Sequence, residues 1–387
     1  MIEKPEIIFT FPSCMGGVAS FNYNIINYSK SISQFYSKVI LLKAKEDTRP
    51  IFLDVFKCNE VCVFNYSYLD NQYYVQKRLS QLLGTKKGLI VTDNALTIES
   101  ANRFNNPKTI FHLLHDYFYV NQTIKLENMI DAVIAHSSFF SDAVYAYNPE
   151  LFARRNFYIP YGVKQVSKLR IKNNKKLNLV FLGRLDLGKG VLNLKTIDSI
   201  LNDNRIAVNW TIIGKGPLKT QLNNQWKNNE NIKFLEPDST DDVYKILKIQ
   251  DILVFPTVFE GTPVSILECL ANGVVTITND LPGGIRDIVT EGIGYRCEIN
   301  NLEEFSKHII NLNSDREKLK KMQQRCKDLC VLNFDINTNA DNYFKKFLEF
   351  EKYKRDDRRC QPTKLSRLDH KFLPNIIVKS LRNIKNY

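Results

Sequence analysis

Cysteine is scarce in this sequence, and the cysteines present do not form the usual metal-binding or redox motifs. There are eight in 387 residues, with no Cys-x-x-Cys and no histidine within a few residues of the two closest pairs, Cys58/Cys62 and Cys326/Cys330. On a helix either pair could hold a metal, but reduced thiols agree better with such sparse usage. We therefore expect free cysteines, as in cytoplasmic proteins, and no bound metal.

Long hydrophobic runs are also lacking. No stretch approaches the roughly 18 apolar residues of a membrane-spanning helix. The first residues, MIEKPEIIFTFP, enter an apolar, strand-like run without the positively charged start of a signal peptide. Hydrophobic residues make up 44% and charged residues 25% of the chain, which excludes a largely disordered or collagen-like protein. The length predicts two or three globular domains, and we expect them in the cytoplasm.

Acidic residues are fewer than basic ones, and the imbalance is concentrated at one end. The net charge is +13, from 54 Lys and Arg against 41 Asp and Glu. Residues 352–387 hold eleven Lys or Arg and three Asp, a net +8. Two interpretations remain open: a solvated tail, or a surface that attracts anionic lipid or other polyanions. No nucleic-acid-binding module is recognisable, so we expect no nucleic-acid partner.

Short apolar runs alternate with longer segments of mixed polarity that are long enough for helices, such as Val18–Gln34. Near-continuous apolar strands separated by helices predict a parallel sheet covered on both faces, which is a doubly wound α/β domain. The strands predicted in the first half are Glu6–Phe11, Lys38–Leu42, Gly88–Val91, Thr109–Leu114, Ala132–Ala135 and Phe157–Ile159.

A basic, Asn-rich segment, Lys164–Asn178, interrupts this pattern and predicts an interdomain linker. The alternation then restarts, which predicts two α/β domains, 1–163 and 164–335, and a helical segment with a basic tail, 336–387. In the second domain we predict a helix at Val191–Leu201 and strands at Leu177–Leu182, Val208–Ile213, Ile232–Leu235, Ile252–Phe255 and Val274–Thr278.

Three motifs follow predicted strands of the second domain. In FLGRLDLGKG, Phe181–Gly190, two cations stand at a loop-to-helix junction and could bind a diphosphate. IIGKGPLK, Ile212–Lys219, has too few glycines for a dinucleotide fingerprint, so its glycines more plausibly permit a tight turn. VFPTVFEGTPVSILECLANG, Val254–Gly273, predicts a strand, a loop and a helix, with Thr262 as the N-cap and Pro263 at the first helical position.

Together these segments resemble the retaining glycosyltransferases of family 4, within glycosyl transferases group 1, which have the GT-B fold. The resemblance covers about residues 5–290. It rests on two glutamates separated by seven residues, on a Gly-Arg-Leu…Lys-Gly segment, on a Gly-x-Gly-Pro turn, on a Gly-Gly loop and a His-Asp pair in the first domain, and on YIPYGV, Tyr158–Val163. The matching residues are Glu260, Glu268, Gly183, Arg184, Leu185, Lys189, Gly190, Gly214, Gly216, Pro217, Gly16, Gly17, His115 and Asp116.

The resemblance implies two Rossmann-like domains that face each other across a cleft, with the nucleotide sugar bound by the second domain and the acceptor by the first. It implies catalytic roles for His115, Arg184, Lys189 and Glu260, and a ribose contact for Glu268. The remaining expected donor-binding residues are Gly16, Gly17, Gly183, Gly214, Gly216, Gly261, Thr262, Pro263 and Val264.

The implied reaction transfers a sugar with retention from a UDP- or GDP-linked donor to a hydroxyl of a growing polysaccharide or lipid-linked glycan. No cofactor and no metal are expected, because no Asp-x-Asp occurs in the sequence. Fixed cations and amide dipoles would then stabilise the departing diphosphate. The tail either docks on the inner face of the plasma membrane or crosses back onto the first domain, as part of the C-terminal region commonly does in this fold.

Some features depart from the family pattern, and other functions stay open. Tyr161 stands where the family commonly has Asn, and Arg286-Asp287 stands where an acidic residue usually follows the Gly-Ile turn. The alternatives are another GT-B sugar-nucleotide enzyme, such as an epimerase, a non-catalytic sugar-nucleotide-binding subunit, and a polyanion-binding protein driven by the net charge.

Overall fold

The computed structural model describes residues 4–14, 16–49, 51, 55–166, 175–227, 229–237, 239–358 and 365–385. The chain divides into two compact units. Unit 1 comprises Met1–Pro160 and Asn337–Tyr387, and unit 2 comprises Tyr161–Ile336. Part of the predicted linker, residues 167–174, lies outside the described residues, as does Cys360. The other seven cysteines form no disulfide within the described part of the chain.

Unit 1 contains a seven-stranded sheet in the order β3-β2-β1-β4-β5-β6-β7, and every pairing is parallel. Its central strands are fully buried, because helices cover both faces of a parallel sheet. The elements are β1 (Glu6–Pro12), α1 (Gly17–Tyr28), β2 (Tyr36–Ala44), β3 (Glu60–Tyr66), α2 (Gln72–Leu83), β4 (Gly88–Thr92), α3 (Ala95–Arg103), β5 (Thr109–Leu114), α4 (Tyr117–Lys125), β6 (Ala132–Ala135), α5 (Ser138–Tyr147), α6 (Pro149–Phe152) and β7 (Asn156–Tyr158).

Unit 2 repeats this topology with one strand fewer, in the order β10-β9-β8-β11-β12-β13, and its strand pairings are again parallel. Its elements are β8 (Leu177–Leu182), α7 (Asn193–Asp203), β9 (Val208–Ile213), α8 (Lys219–Gln225), β10 (Ile232–Leu235), α9 (Thr240–Leu247), β11 (Ile252–Phe255), α10 (Val264–Ala271), β12 (Val275–Asn279), α11 (Gly284–Ile288), β13 (Gly294–Cys297), α12 (Leu302–Ser314) and α13 (Arg316–Asn333).

The C-terminal segment forms α14 (Ile336–Leu348), α15 (Phe350–Tyr353) and α16 (Asn375–Lys385). On α14, Tyr343 and Phe347 are fully buried in unit 1, and the Phe347 ring packs edge-on against Phe111 of β5. Aromatic packing thus holds α14 in the core of unit 1. Across the described residues, none of the helices combines the length and the apolar composition that crossing a bilayer requires.

The doubly wound α/β architecture predicted from the sequence is confirmed in both units. Two strands that the sequence analysis missed, β3 and β13, are both edge strands. Their residues are mostly half-buried or exposed. These two strands therefore lack the continuous apolar run by which the central strands could be found.

Candidate functional site

The loops that follow β8 and β9 are joined backbone to backbone at the carboxyl ends of their strands. Leu185 N donates to Lys215 O at 2.9 Å, and Leu218 N donates to Leu185 O at 3.1 Å. A Cβ on Gly214, whose φ is +148°, would lie 1.9 Å from Gly183 O. A Cβ on Gly216 would lie 2.4 Å from Leu185 O. Glycine is therefore required at both positions for this close approach.

The loop after β8 is fixed in turn against the end of β11. Asp186 caps a short 3₁₀ turn by accepting a hydrogen bond from Lys189 N at 3.1 Å. Gly190 has φ +64°, and a Cβ there would lie 1.9 Å from Pro256 O. Val258 N also donates to Gly188 O at 3.0 Å. Motifs about 70 positions apart in the sequence thus form one surface of unit 2.

Lys189 and Glu260 form an ion pair on this surface, with Lys189 Nζ 2.5 Å from Glu260 Oε1. The Thr257 hydroxyl lies 3.2 Å from the same carboxylate oxygen. Burial raises the pKa of Glu260, and the Lys189 ammonium opposes that rise. The pair is largely buried, so removing one partner leaves a poorly solvated charge, which commonly costs about 3–5 kcal/mol.

Arg184 differs from Lys189 in being 69% exposed in its side chain, where it pairs with Asp186. An exposed pair of this kind contributes about 0–1 kcal/mol, because water competes for both ions. The guanidinium can therefore leave Asp186 for a phosphate at little cost. Both cations predicted for diphosphate binding lie in this one loop, and each is paired with a carboxylate.

The start of α10 differs by one residue from the prediction. Pro263 is the N-cap, and Val264 is the first helical residue, so neither Thr262 nor Pro263 holds its predicted position. The preceding loop rests on the turn before α11, where Gly284 N donates to Gly261 O at 3.0 Å. A Cβ on Gly284 would lie 2.7 Å from Thr262 Cα, so this turn also requires glycine. Without a side-chain cap on α10, its first N–H groups can meet a ligand.

Glu268 lies on α10 and keeps part of its side chain accessible. Its carboxylate forms no hydrogen bond or ion pair with the residues that the structure describes. Burial raises the pKa of Glu268 to about 7. An accessible but poorly hydrated carboxylate is a strong acceptor for ligand hydroxyl groups.

The predicted site residues of unit 1 lie at the carboxyl edge of its own sheet. Gly16 is the N-cap of α1 and Gly17 its first residue. A Cβ on either would meet no atom within 4 Å, so packing does not require glycine there. His115 directly follows β5, and Asp116 caps α4 by accepting a hydrogen bond from Phe118 N at 2.7 Å.

The carboxylate beside His115 belongs to Asp93, which sequence reasoning missed. His115 Nε2 lies 3.6 Å from Asp93 Oδ2, and the His115 and His136 ring centroids are 4.6 Å apart. Both Asp93 oxygens are buried without a hydrogen-bond partner in the described part of the chain. Burial raises the pKa of Asp93 to about 7 and lowers the pKa of His115 well below its usual value. The position of Asp93 directly after β4 was the available signal.

His136 is held in one tautomer by the C-terminal segment. The Tyr343 hydroxyl donates to Ile159 O at 2.6 Å, and His136 Nδ1 lies 2.7 Å from that hydroxyl. Because a carbonyl oxygen only accepts, the hydroxyl must accept from a protonated Nδ1. Burial lowers the pKa of His136 to about 3, so the imidazole is neutral at pH 7.

One group of side chains within the described ranges could hold a metal ion, with the ligand atoms of Cys297, Glu304 and His308 within 4.8 Å of one another. Glu304 already accepts a hydrogen bond from Glu298 N at 2.9 Å, and the His308 ring stacks on Tyr295. None of the predicted site residues belongs to this group.

Residues 164–328 match the family model of glycosyl transferases group 1. An Escherichia coli UDP-Gal:alpha-D-GlcNAc-diphosphoundecaprenol alpha-1,3-galactosyltransferase is 27% identical over 180 residues, 45% of this chain and 46% of that protein. A Campylobacter jejuni N,N'-diacetylbacillosaminyl-diphospho-undecaprenol alpha-1,3-N-acetylgalactosaminyltransferase is 27% identical over 199 residues, 50% of this chain and 51% of that protein. The alignments thus span about half the length of these curated relatives.

Solved structures extend the similarity to the whole fold. Anabaena HepE, solved in complex with UDP and glucose, aligns with TM-score 0.70 and 16% identity, over 89% of this chain and 100% of that one. Sucrose-phosphate synthase from Thermosynechococcus elongatus aligns with TM-score 0.72 and 12% identity, over 90% of this chain and 100% of that one. The GT-B fold predicted from the sequence is confirmed.

Proposed function

We propose that this protein is a retaining, metal-independent glycosyltransferase of family 4 that moves a sugar from a UDP-sugar to a hydroxyl of a lipid-linked glycan. The observation that carries the proposal is the unit 2 surface on which the Lys189–Glu260 ion pair and the unpaired Glu268 carboxylate lie close to the N-terminus of α10. The relatives' names add diphospho-undecaprenol-linked acceptors and a UDP-linked donor.

Donor binding follows from the chemistry of these groups. Glu268 accepts hydrogen bonds from the two ribose hydroxyls, while Arg184 and Lys189 contact the diphosphate. At an effective dielectric near 20, each cation 4 Å from a phosphate oxygen contributes about 4 kcal/mol before desolvation. The N–H groups at the start of α10 add a fixed positive dipole end.

The same groups stabilise the reaction as the bond to the diphosphate breaks. Negative charge grows on the β-phosphate, and the cations are already in place, so little reorganisation is needed. Glu260, tied to Lys189, orients the donor sugar. The acceptor hydroxyl attacks from the face that the diphosphate leaves, and a departing phosphate oxygen takes its proton. This front-face course retains the anomeric configuration.

In this proposal His115 has a catalytic role, as the resemblance implies. Its lowered pKa keeps the imidazole neutral at pH 7. It can therefore accept a hydrogen bond from a sugar hydroxyl or donate one to it, but it adds no positive charge. Gly16 and Gly17 leave the start of α1 open, because a Cβ on either would meet no atom within 4 Å.

The acceptor defines where the enzyme works. A glycan linked through diphosphate to a polyprenol is held in a bilayer, and nucleotide sugars are made in the cytoplasm. We therefore propose that the protein acts at the inner face of the plasma membrane, with unit 1 receiving the acceptor.

The first experiment measures thermal stability with UDP, GDP, ADP or dTDP, with and without EDTA. A ligand at 100 times its dissociation constant adds about 2.7 kcal/mol, which raises the midpoint by several degrees. We expect UDP to do this and EDTA to leave the shift unchanged. Glu268→Ala should abolish it, while Glu230→Ala, at an exposed unit 2 position, should not. No shift with any nucleotide would contradict the proposal.

A further inference from the structure

The last helix, α16, presents its polar side to unit 1. Lys379 Nζ lies 2.7 Å from Asp70 Oδ1, and Arg382 Nη2 lies 2.8 Å from both carboxylate oxygens of Asp369. Asn375 Nδ2 donates to Asp70 at 2.9 Å and its side-chain oxygen accepts from Asn71 N at 2.7 Å. Ion pairs and hydrogen bonds therefore attach this helix to unit 1.

The apolar side of α16 points away from unit 1. Ile376 is 75% exposed, Ile377 46% and Leu381 42%. At 100° per residue these three side chains fall within an arc of about 140° on one side of the helix. Phe372, in the turn before the helix, is 76% exposed and adds a further apolar side chain to this end of the chain. Of the apolar side chains of α16 that the structure describes, Val378 alone is buried.

This orientation is the reverse of what a surface helix of a globular protein normally shows. Such a helix buries its apolar stripe against the core and presents charged residues to water. In α16, Lys379 and Arg382 pair with two buried aspartates, Asp70 and Asp369, while Ile376, Ile377 and Leu381 are left outside. Folding alone gives no reason to place isoleucine and leucine there, so the apolar side is available to another surface.

The charge around the helix indicates which surface. From His370 to Tyr387 the sequence contains three lysines and one arginine and no acidic residue. Lys371 is exposed, and its ammonium lies 5.0 Å from the centroid of the Phe372 ring. The carboxylates of Asp70 and Asp369 are buried and ion-paired, so they present no negative charge on the apolar side of the helix. An outward apolar stripe beside an exposed lysine is complementary to an anionic phospholipid bilayer.

We propose that the surface formed by Phe372, Ile376, Ile377 and Leu381 docks this protein on an anionic phospholipid bilayer. The helix lies in the plane of the interface, its apolar side enters between the lipid headgroups, and the Asp70 and Asp369 ion pairs transmit the attachment to unit 1. This docking rests on the proposed function, in which unit 1 receives the acceptor. Docking through α16 would bring unit 1 to the membrane that holds this acceptor.

The experiment measures flotation of the protein with two kinds of vesicle. One is made of phosphatidylcholine alone, and the other also contains about 30% phosphatidylglycerol, which makes it anionic. We expect the full chain to float with the anionic vesicles, and less so at high salt. Ile376→Ser combined with Leu381→Ser should reduce the bound fraction about tenfold. Asn383→Ser, an exposed polar position on the same helix, is the matched control and should bind as the parent does.

Circular dichroism and the thermal midpoint show whether the variants remain folded. Equal flotation of the parent and the double variant would overturn the inference. A second result would also overturn it: neither protein floats, and light scattering shows that the parent is a dimer and the double variant is a monomer. The surface would then bind a second copy of the chain. UDP binding is measured on the same samples: UDP binding without flotation overturns the docking surface alone, and flotation without UDP binding overturns the transferase proposal alone.

Discussion

The two sheets share a strand order but differ in what lies at their carboxyl edges. In unit 2 that edge carries two cations, Arg184 and Lys189, each paired with a carboxylate, on loops joined by closely approaching backbones. In unit 1 it carries neutral imidazoles and a buried carboxyl group, Asp93, whose pKa burial raises to about 7. The same topology thus carries ion-paired cations at one edge and neutral imidazoles at the other, because the side chains after the strands differ.

The largest expected effect concerns the close backbone approach at the carboxyl edge of the unit 2 sheet, which the Gly16-Gly17 turn of unit 1 does not require. Gly214→Ala places a Cβ 1.9 Å from Gly183 O, so we expect a loss of about 3 kcal/mol or more in the free energy of unfolding. Gly17→Ala meets no atom within 4 Å and should change stability by less than about 1 kcal/mol. Urea unfolding of both variants tests the contrast, and equal losses would remove it.

The next effect concerns the buried ion pair. Lys189→Met leaves Glu260 without its counter-charge, so we expect donor affinity or turnover to fall tenfold or more, about 1.4 kcal/mol. Stability should fall as well. Adding Glu260→Gln removes the stranded charge, so stability should recover while transfer stays low. Calorimetric titration with UDP measures affinity, and a transfer assay measures turnover. Full activity in the Lys189→Met variant would contradict the role assigned to Lys189.

An effect of similar size, about tenfold per pH unit, is expected from pH. Burial raises the pKa of Glu268 from 4.5 to about 7, so the folded protein holds a proton that the unfolded chain has lost between these values. Stability from this group is present below pH 4.5 and is lost as pH rises to about 7. Ribose hydroxyls favour the ionised form, so UDP affinity should rise about tenfold per pH unit below the folded pKa.

Substitutions distinguish the effect of Glu268 from that of Asp93, whose pKa is also raised by burial. Glu268→Gln should flatten the pH dependence of UDP affinity, while Asp93→Asn should leave it as in the parent protein. Titration calorimetry between pH 5 and 8 covers the window set by the pKa of about 7. An unchanged pH profile in Glu268→Gln would show that another group controls binding.

The smallest change in nucleotide binding is expected at His115. Its pKa lies well below the usual value, so it contributes no charge for the diphosphate near pH 7. We expect His115→Ala to bind UDP within about twofold of the parent, under 0.5 kcal/mol, and to lower turnover tenfold or more. A loss of UDP affinity equal to that of Lys189→Met would break the proposed division between the two units.

The fold was predictable where burial leaves a clear pattern. Central strands such as Ile252–Phe255 read as continuous apolar runs and lie where the sequence places them. The edge strands Glu60–Tyr66 and Gly294–Cys297 were missed because half of such a strand faces solvent. The start of α10 was misplaced by one residue, since proline is compatible both with the N-cap and with the first turn.

The site was predictable only in part. Lys189 and Glu260 were identified from their motifs, but not their 2.5 Å pairing, which joins positions 71 residues apart. The two residues meet because β8 and β11 are neighbours in the sheet. Asp93 and His136 were missed, because each follows a strand without a motif around it. The adjacent Asp116, which the sequence pairs with His115, instead caps α4.

The sequence by itself determined the alternation of strands and helices, the excess charge of the tail and the glycines at which loops can approach closely, because these depend on local composition and on backbone freedom. Tertiary structure alone decided which charges meet and which side of a helix is covered. Lys379 and Arg382 of α16 could have faced water, yet Asp70 and Asp369 bind them and turn Ile376 and Leu381 outward. An amphipathic pattern defines an apolar and a polar side of a helix. Contacts with the neighbouring residues decide which of the two sides is covered.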